Sequence, residues 1–185
     1  MNNSDRLKIL MESGRSIFTP LDMRILWGMN ALSAKMSAIR MMKNRLLIRL
    51  ANGYYALNDR YSPYELANRM VSPSYVSFQA SLFHSGINFQ ARREIGSVAT
   101  RDCQKKVGGV LYTYVAMKKS LFFNREGVVT REGVSIALPE RAILDSFYFG
   151  YLPDIDVAEK LNKTTLESLS ALYPRTVQKR IKNLL

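Results

Sequence analysis

Apolar positions recur every three to four residues up to about residue 45 and again after Pro139, whereas strand-like texture runs from Ile87 to Leu138. Asn3 or Ser4 can cap a first helix to about Glu12, with Leu7, Leu10 and Met11 on one face and Gly14 as its stop. Thr19 and Pro20 open a second helix as cap and first helical residue. Its expected buried side is Leu21, Ile25 and Leu26, with Trp27 anchoring the end. Gly28-Met29-Asn30 is a tight break before a third helix from about Ala31 to Asn44. Leu32, Met36, Ile39 and Met42 are expected to face inward. The opposite, outward face would then carry Ser33, Ala34, Ser37, Ala38 and Met41, flanked by Arg40 and Asn44.

Two alternating runs follow, joined by Asn52-Gly53, a strong hairpin signal. Pairing Ala51 with Tyr54 sets Leu50 opposite Tyr55 and Ile48 opposite Leu57. Ile48, Leu50, Tyr55 and Leu57 would be buried, with Arg49 and Tyr54 outward beside the tip. A helix, a helix-turn-helix and a hairpin in this order predict a winged helix-turn-helix over residues 1–60.

Residues 61–185 are expected to form a larger mixed α/β domain with a central, mainly antiparallel sheet and C-terminal helices, making the chain α+β as a whole. Ser62-Pro63-Tyr64-Glu65 reads as a capped helix start running to about Met70. Ser72-Pro73 reads as a second start, for a helix that Gly86 ends with His84 in its last turn. Strands are expected at Ile95–Thr100, Gln104–Val107, Val110–Ala116 and Val134–Ala137, with Gly108-Gly109 as a hairpin turn. Arg125-Glu126-Gly127-Val128 and Arg131-Glu132-Gly133-Val134 read as two similar turns. Pro139 opens a helix on which Arg141 and Asp145 can pair across one turn. In the tail, Leu166, Leu169 and Leu172 form one stripe and Val177, Ile181 and Leu184 another. Lys179, Arg180 and Lys182 fall on the outer face.

Charge sharpens this picture. The chain of 185 residues has a net charge of +12 and a pI near 10.0, which favours a polyanionic partner. From Met23 to Asn58 there is no Asp or Glu, while Arg24, Lys35, Arg40, Lys43, Arg45 and Arg49 all fall in that stretch. An acid-free basic block on a helix-turn-helix is the electrostatic footprint of DNA binding. The candidate DNA-binding residues are Arg24, Ser33, Lys35, Ser37, Arg40, Lys43, Asn44, Arg45, Arg49, Asn52 and Tyr54. Hydroxyls, Arg and Asn on the third helix would reach base edges or phosphates, and Arg49, Tyr54 and the turn would meet phosphate or minor groove.

Other chemistry is poorly represented. A single cysteine, Cys103, and a single histidine, His84, leave no internal disulfide and no Cys/His zinc cluster. No phosphate-cradling glycine loop or nucleophile elbow is present. Glu94, Asp102 and Lys105 only loosely suggest a metal-dependent nuclease, so no enzyme and no cofactor are expected. No secretory signal or spanning stretch is evident, so a cytoplasmic protein without membrane contact is expected.

The chain resembles the AbiEi antitoxin family of bacterial abortive-infection toxin-antitoxin systems. The resemblance rests on Leu47-Ile48-Arg49-Leu50, Gly53-Tyr54-Tyr55-Ala56-Leu57 and Tyr64-Glu65-Leu66-Ala67. It continues through Pro73-Ser74-Tyr75-Val76-Ser77, His84-Ser85-Gly86, Ile136-Ala137-Leu138-Pro139-Glu140-Arg141-Ala142-Ile143-Leu144-Asp145 and the run from Val177 to Leu185. Lys43-Asn44-Arg45-Leu46 stands where that family usually has a glycine before the wing. The resemblance implies a transcriptional repressor whose winged helix binds inverted repeats in its own promoter. It also implies a C-terminal α/β antitoxin domain and a nucleotidyltransferase-like toxin as partner. Separately from the resemblance, a monomer or weak dimer is expected. The alternative is a protein-binding antitoxin or phage-defence component that uses the winged helix for docking.

Overall fold

The computed structural model describes residues 1–182. The chain is α+β and divides into two compact units, Met1–Leu66 and the remainder from Ala67 onward. In the first unit, α1 (Asn3–Glu12), β1 (Ile17–Phe18), α2 (Pro20–Trp27), α3 (Ala31–Lys43), β2 (Ile48–Ala51) and β3 (Tyr54–Ala56) are followed by the start of α4 (Pro63–Met70). The three strands form an antiparallel sheet in the order β1-β3-β2. The two-residue strand β1 is too short to show a period in sequence.

Local capping chemistry fixes the helix starts. Asn2, one residue earlier than expected, caps α1 by a reciprocal box with Asp5. Thr19 and Asp22 form the same box on α2, with Pro20 behind the cap. The Asp22 carboxylate also holds Arg15 at 2.8 Å. Gly28 closes α2 in the left-handed conformation, with φ at 63°. Ser62 caps α4 by accepting from the Glu65 amide, and the Glu65 carboxylate reaches across to β1. It is buried and accepts from Ser16 N at 2.9 Å, Ser16 Oγ at 2.7 Å and Ile17 N at 3.4 Å, tying α4 to β1.

The helix faces differ from those the periodicity suggests. On α1, Leu10 is buried and Met11 is exposed. On α2, Met23 and Trp27 face the core; Leu21 and Ile25 are 57% and 67% exposed and Leu26 is half-buried. On α3, Ala34, Ser37, Ala38 and Met41 are buried, whereas Leu32 is 71% and Met36 46% exposed. Ile39 and Met42 are half-buried. The reason is close approach. α3 packs directly on α2, and small side chains allow two helix backbones to come near while Met41 fills the space at the end of the stripe.

The hairpin also shifts. Ala51 pairs with Tyr54 as expected, but a bulge at Leu50 sets Arg49 opposite Tyr55 and Ile48 opposite Ala56. Tyr55 and Ala56 are therefore the buried residues, with Ile48, Leu50 and Leu57 only half-buried.

The second unit contains β4 (Ser74–Val76), α5 (Phe78–His84), β5 (Glu94–Ala99), β6 (Cys103–Val107), β7 (Val110–Ala116), α6 (Lys119–Phe122), β8 (Val128–Arg131), β9 (Val134–Ala137), α7 (Pro139–Tyr148), α8 (Lys163–Ser170) and α9 (Arg175–Lys182). Its sheet runs β6-β7-β5-β4-β9-β8 and is mixed, because the β5–β7 and β4–β9 joins are parallel. Ser72-Pro73 does not start a helix. It is a cis peptide leading into β4, and α5 begins only at Phe78. Gly108-Gly109 and Glu132-Gly133 both turn hairpins with positive φ at each residue. Leu166, Leu169, Val177 and Ile181 pack inward as expected, with Leu172 half-buried; Leu184 lies outside the described residues.

Arg141 and Asp145 form their pair on α7 at 3.5 Å, both fully buried. Asp145 accepts from Ser77 Oγ at 2.7 Å, Tyr75 Oη at 3.1 Å and Tyr173 Oη at 2.6 Å. Arg141 donates to the carbonyls of Leu121, Asn124 and Glu126. Burial raises the Asp145 carboxyl above its ordinary range; Arg141 and the hydroxyls of Tyr173, Ser77 and Tyr75 oppose that rise. Burial, and then the nearby Asp145 carboxylate, push both tyrosine hydroxyls well above the usual tyrosine range. They stay protonated and donate.

Candidate nucleic-acid interface

The site is built on α2, α3 and the β2–β3 hairpin. At 3.6 residues per turn, Lys35, Ile39, Leu32, Lys43, Met36 and Arg40 fall in that order across an arc of roughly 140° on α3. The buried Ala34, Ser37, Ala38 and Met41 are centred on the opposite side. The outward surface is thus three cations interleaved with aliphatic side chains. On α2 the exposed Arg24 lies between exposed Leu21 and Ile25.

Arg24, Lys35, Arg40, Lys43, Arg45 and Arg49 are all exposed. Among the described residues none of the six is in an ion pair. Four acids of the first unit are otherwise engaged: Asp5 and Asp22 in capping boxes, Glu12 with Lys8 at 3.8 Å, and Glu65 with backbone and hydroxyl donors; the fifth, Asp59, is exposed just past the block. The block from Met23 to Asn58 therefore presents uncompensated positive charge.

Other candidates are placed less uniformly. Ser37 is 1% exposed and cannot touch a ligand, because it lies on the face of α3 that packs into the core. It accepts a long contact from Arg40 Nη2 at 3.5 Å instead. Ser33 is half-buried, and its amide donates to Asn30, the cap of α3. Asn44 is exposed. Arg45 follows it in the left-handed conformation, φ 58°, with its amide on Met42 O and the Leu46 amide on Met41 O. That is a Schellman closure made by arginine where glycine is usual. At the hairpin tip, Arg49 Nη2 donates to Asn52 Oδ1 at 2.9 Å, so these two candidates brace each other across the turn. Asn52 is exposed and Tyr54 half-buried.

Leu32 and Met36 are surface residues that periodicity alone sends inward. Their interleaving with Lys35, Arg40 and Lys43 on one arc is the signal that could have placed them outside. Elsewhere, Glu94, Asp102 and Lys105 each have a local partner: Thr113 Oγ1 for Glu94, the Ala116 amide for Asp102 and Met70 O for Lys105. Among the described residues no group of three His, Cys, Asp or Glu could hold a metal, and no helix is long and apolar enough to cross a membrane.

No protein-family model and no curated protein sequence matches this chain.

Proposed function

We propose that the first unit is a winged helix-turn-helix that binds double-stranded DNA, with α3 in the major groove and the β2–β3 hairpin as the wing. The observation that carries this reading is the exposed, acid-free face of α3 bearing Lys35, Arg40 and Lys43 without ion-pair partners among the described residues. The three-stranded antiparallel sheet behind the helices supports it, since a strand before α2 and a hairpin after α3 suit this architecture. Lys and Arg would hold phosphates, and Leu32 and Met36 would meet thymine methyl groups. Together with the AbiEi resemblance, this makes the protein a repressor of its own operon and the antitoxin of a nucleotidyltransferase-like toxin. The inferred setting is the bacterial cytoplasm.

The test is equilibrium binding of the chain to its promoter duplex over a range of salt. Affinity should fall steeply and linearly in log–log form. Arg40→Ala and Lys43→Ala should each weaken binding to all sequences and lower the salt slope by about 1. If both variants keep wild-type affinity and slope, α3 does not lie on DNA.

The second reading is that this unit docks a protein. Leu21 and Ile25, exposed side by side on α2, favour it. On that reading Ile25→Ser would abolish toxin neutralisation and leave promoter binding intact.

A further inference from the structure

The second unit has a recess of about 670 Å³ on one face of its sheet, within the size range of small-molecule sites. Strand register builds its floor. Gly96 of β5 pairs with Thr113 of β7, which pairs with Gln104 of β6, so the three form a row across the sheet. Glu94 lies two residues before Gly96 on the same face, roughly 7 Å along the strand. All four residues line the recess.

The wall is aromatic. A Cβ at Gly96 would come within 2.7 Å of the Phe78 ring, so glycine at this position lets that ring lie against the strand. Phe78 itself has φ at 56°, a strained conformation for a bulky residue, at the turn from β4 into α5. Its ring meets that of Tyr151 edge-on at 5.5 Å, which makes an aromatic corner. Tyr151 is 48% exposed and Leu152 beside it 81%, so apolar surface is left uncovered at the mouth.

The charge of the recess runs against that of the chain. The protein carries +12, yet the lining has one cation, Arg92, and Asp154 holds it at 2.5 Å. The Glu94 carboxylate accepts from Thr113 Oγ1 at 2.9 Å and has no counter-ion among the described residues. Lys106 shares the row of Glu94 but lies two strands away, roughly 10 Å. The run from Ala142 to Glu159, which supplies Tyr151 and Leu152, has no Lys or Arg. An anion in the recess would face the Glu94 carboxylate. A purely apolar ligand would take Glu94, Thr113 and Gln104 out of water without giving them partners. A cation carried on an aromatic body meets both demands.

We propose that this recess binds an aromatic amine, its ring in the corner of Phe78 and Tyr151 and its ammonium on Glu94. Gln104 and Thr113 supply the remaining polar contacts.

The experiment is calorimetric titration of the full chain with tryptamine, its alcohol analogue tryptophol, its acid analogue indole-3-acetate and the ring-free cation spermidine. It is repeated on Glu94→Gln, Tyr151→Ala and Arg92→Gln. The expected result is saturable one-site binding of tryptamine, binding of tryptophol weaker by about tenfold or more, and none of indole-3-acetate or spermidine. Glu94→Gln should bring tryptamine down to the affinity of tryptophol and leave tryptophol unchanged. Tyr151→Ala should weaken both, and Arg92→Gln should weaken neither. Absence of saturable tryptamine binding overturns the proposal. So does equal affinity for amine and alcohol, which would make the recess an apolar site without charge selection. So, too, does tightest binding of indole-3-acetate with its loss in Arg92→Gln, which would make the recess an anion site. Should the variants fail to fold, the backbone amide resonances of the wild type decide. Shifts on adding tryptamine that centre on Gly96, Gln104 and Thr113 support the site, and shifts centred elsewhere refute it.

Discussion

Arg45 links stability and binding at one residue. A non-glycine residue in the left-handed region carries a steric cost of about 1–2 kcal/mol, and Arg45 bears it to close α3. Arg45→Gly should therefore raise stability by about 1 kcal/mol, partly offset by the greater flexibility of glycine in the unfolded chain. The same change removes an exposed cation beside the proposed DNA face, so promoter affinity should fall as the melting temperature rises. Thermal melts and duplex titrations on one preparation test both signs; unchanged affinity would mean that the arginine is tolerated at this position and makes no contact. Leu32 gives a second residue-scale test. It is exposed, so Leu32→Ser should alter stability by less than about 0.5 kcal/mol. On DNA it should erase the preference for thymine over uracil at the contacted position, because the C5-methyl group is what an aliphatic side chain meets. A persistent thymine preference would rule out the proposed orientation of α3.

At the scale of the element, α3 shows which kinds of information are local. Its start follows from Asn30 capping the Ser33 amide, and its end from the Arg45 closure, both within a few residues. The positions of α1 to α4, the Asn52-Gly53 turn and the acid-free block were legible for the same reason: neighbouring residues determine them. The start expected at Ser72-Pro73 was not, because that segment enters β4 instead. The inward face was not. Both faces of α3 carry apolar residues, and periodicity favours the bulkier Leu32, Met36 and Ile39, while the actual core selects Ala34, Ser37 and Ala38 because they let α2 approach. The candidate site inherits that difference: its cations were readable from charge pattern, whereas Ser37 was misplaced with the face. The parallel β4–β9 join was hidden because it depends on pairing with distant chain, and the β2 bulge because an alternating run does not mark which residue leaves the ladder. Packing makes the face testable. Ala38→Leu should destabilise the first unit by about 1–3 kcal/mol through overpacking, and Met36→Gln should be nearly neutral. Denaturant unfolding that gave the reverse order would restore the orientation suggested by periodicity.

At the scale of the whole molecule, the two units have separate cores and should fail separately. The second is organised around Asp145, whose hydroxyl partners Tyr75, Ser77 and Tyr173 come from β4, the residue before α5, and the segment before α9. Asp145→Ala leaves Arg141 buried without its counter-ion, a change that costs about 3–5 kcal/mol. Its melt should show early loss of the second unit with promoter affinity retained. The tyrosines add a pH signature. Tyr75 and Tyr173 remain protonated in the folded chain because burial and the adjacent carboxylate disfavour their anions. In the unfolded chain they ionise near pH 10. Above that pH the unfolded state releases protons that the folded state keeps, so stability, fully present below pH 10, declines as pH rises. The decline should approach about 1.4 kcal/mol per pH unit for each tyrosine. Tyr173→Phe removes one such group and should flatten the alkaline arm by about one proton while lowering neutral stability through the lost bond to Asp145. An alkaline slope identical to that of the wild type would show that the Tyr173 hydroxyl is not held in the core by the carboxylate.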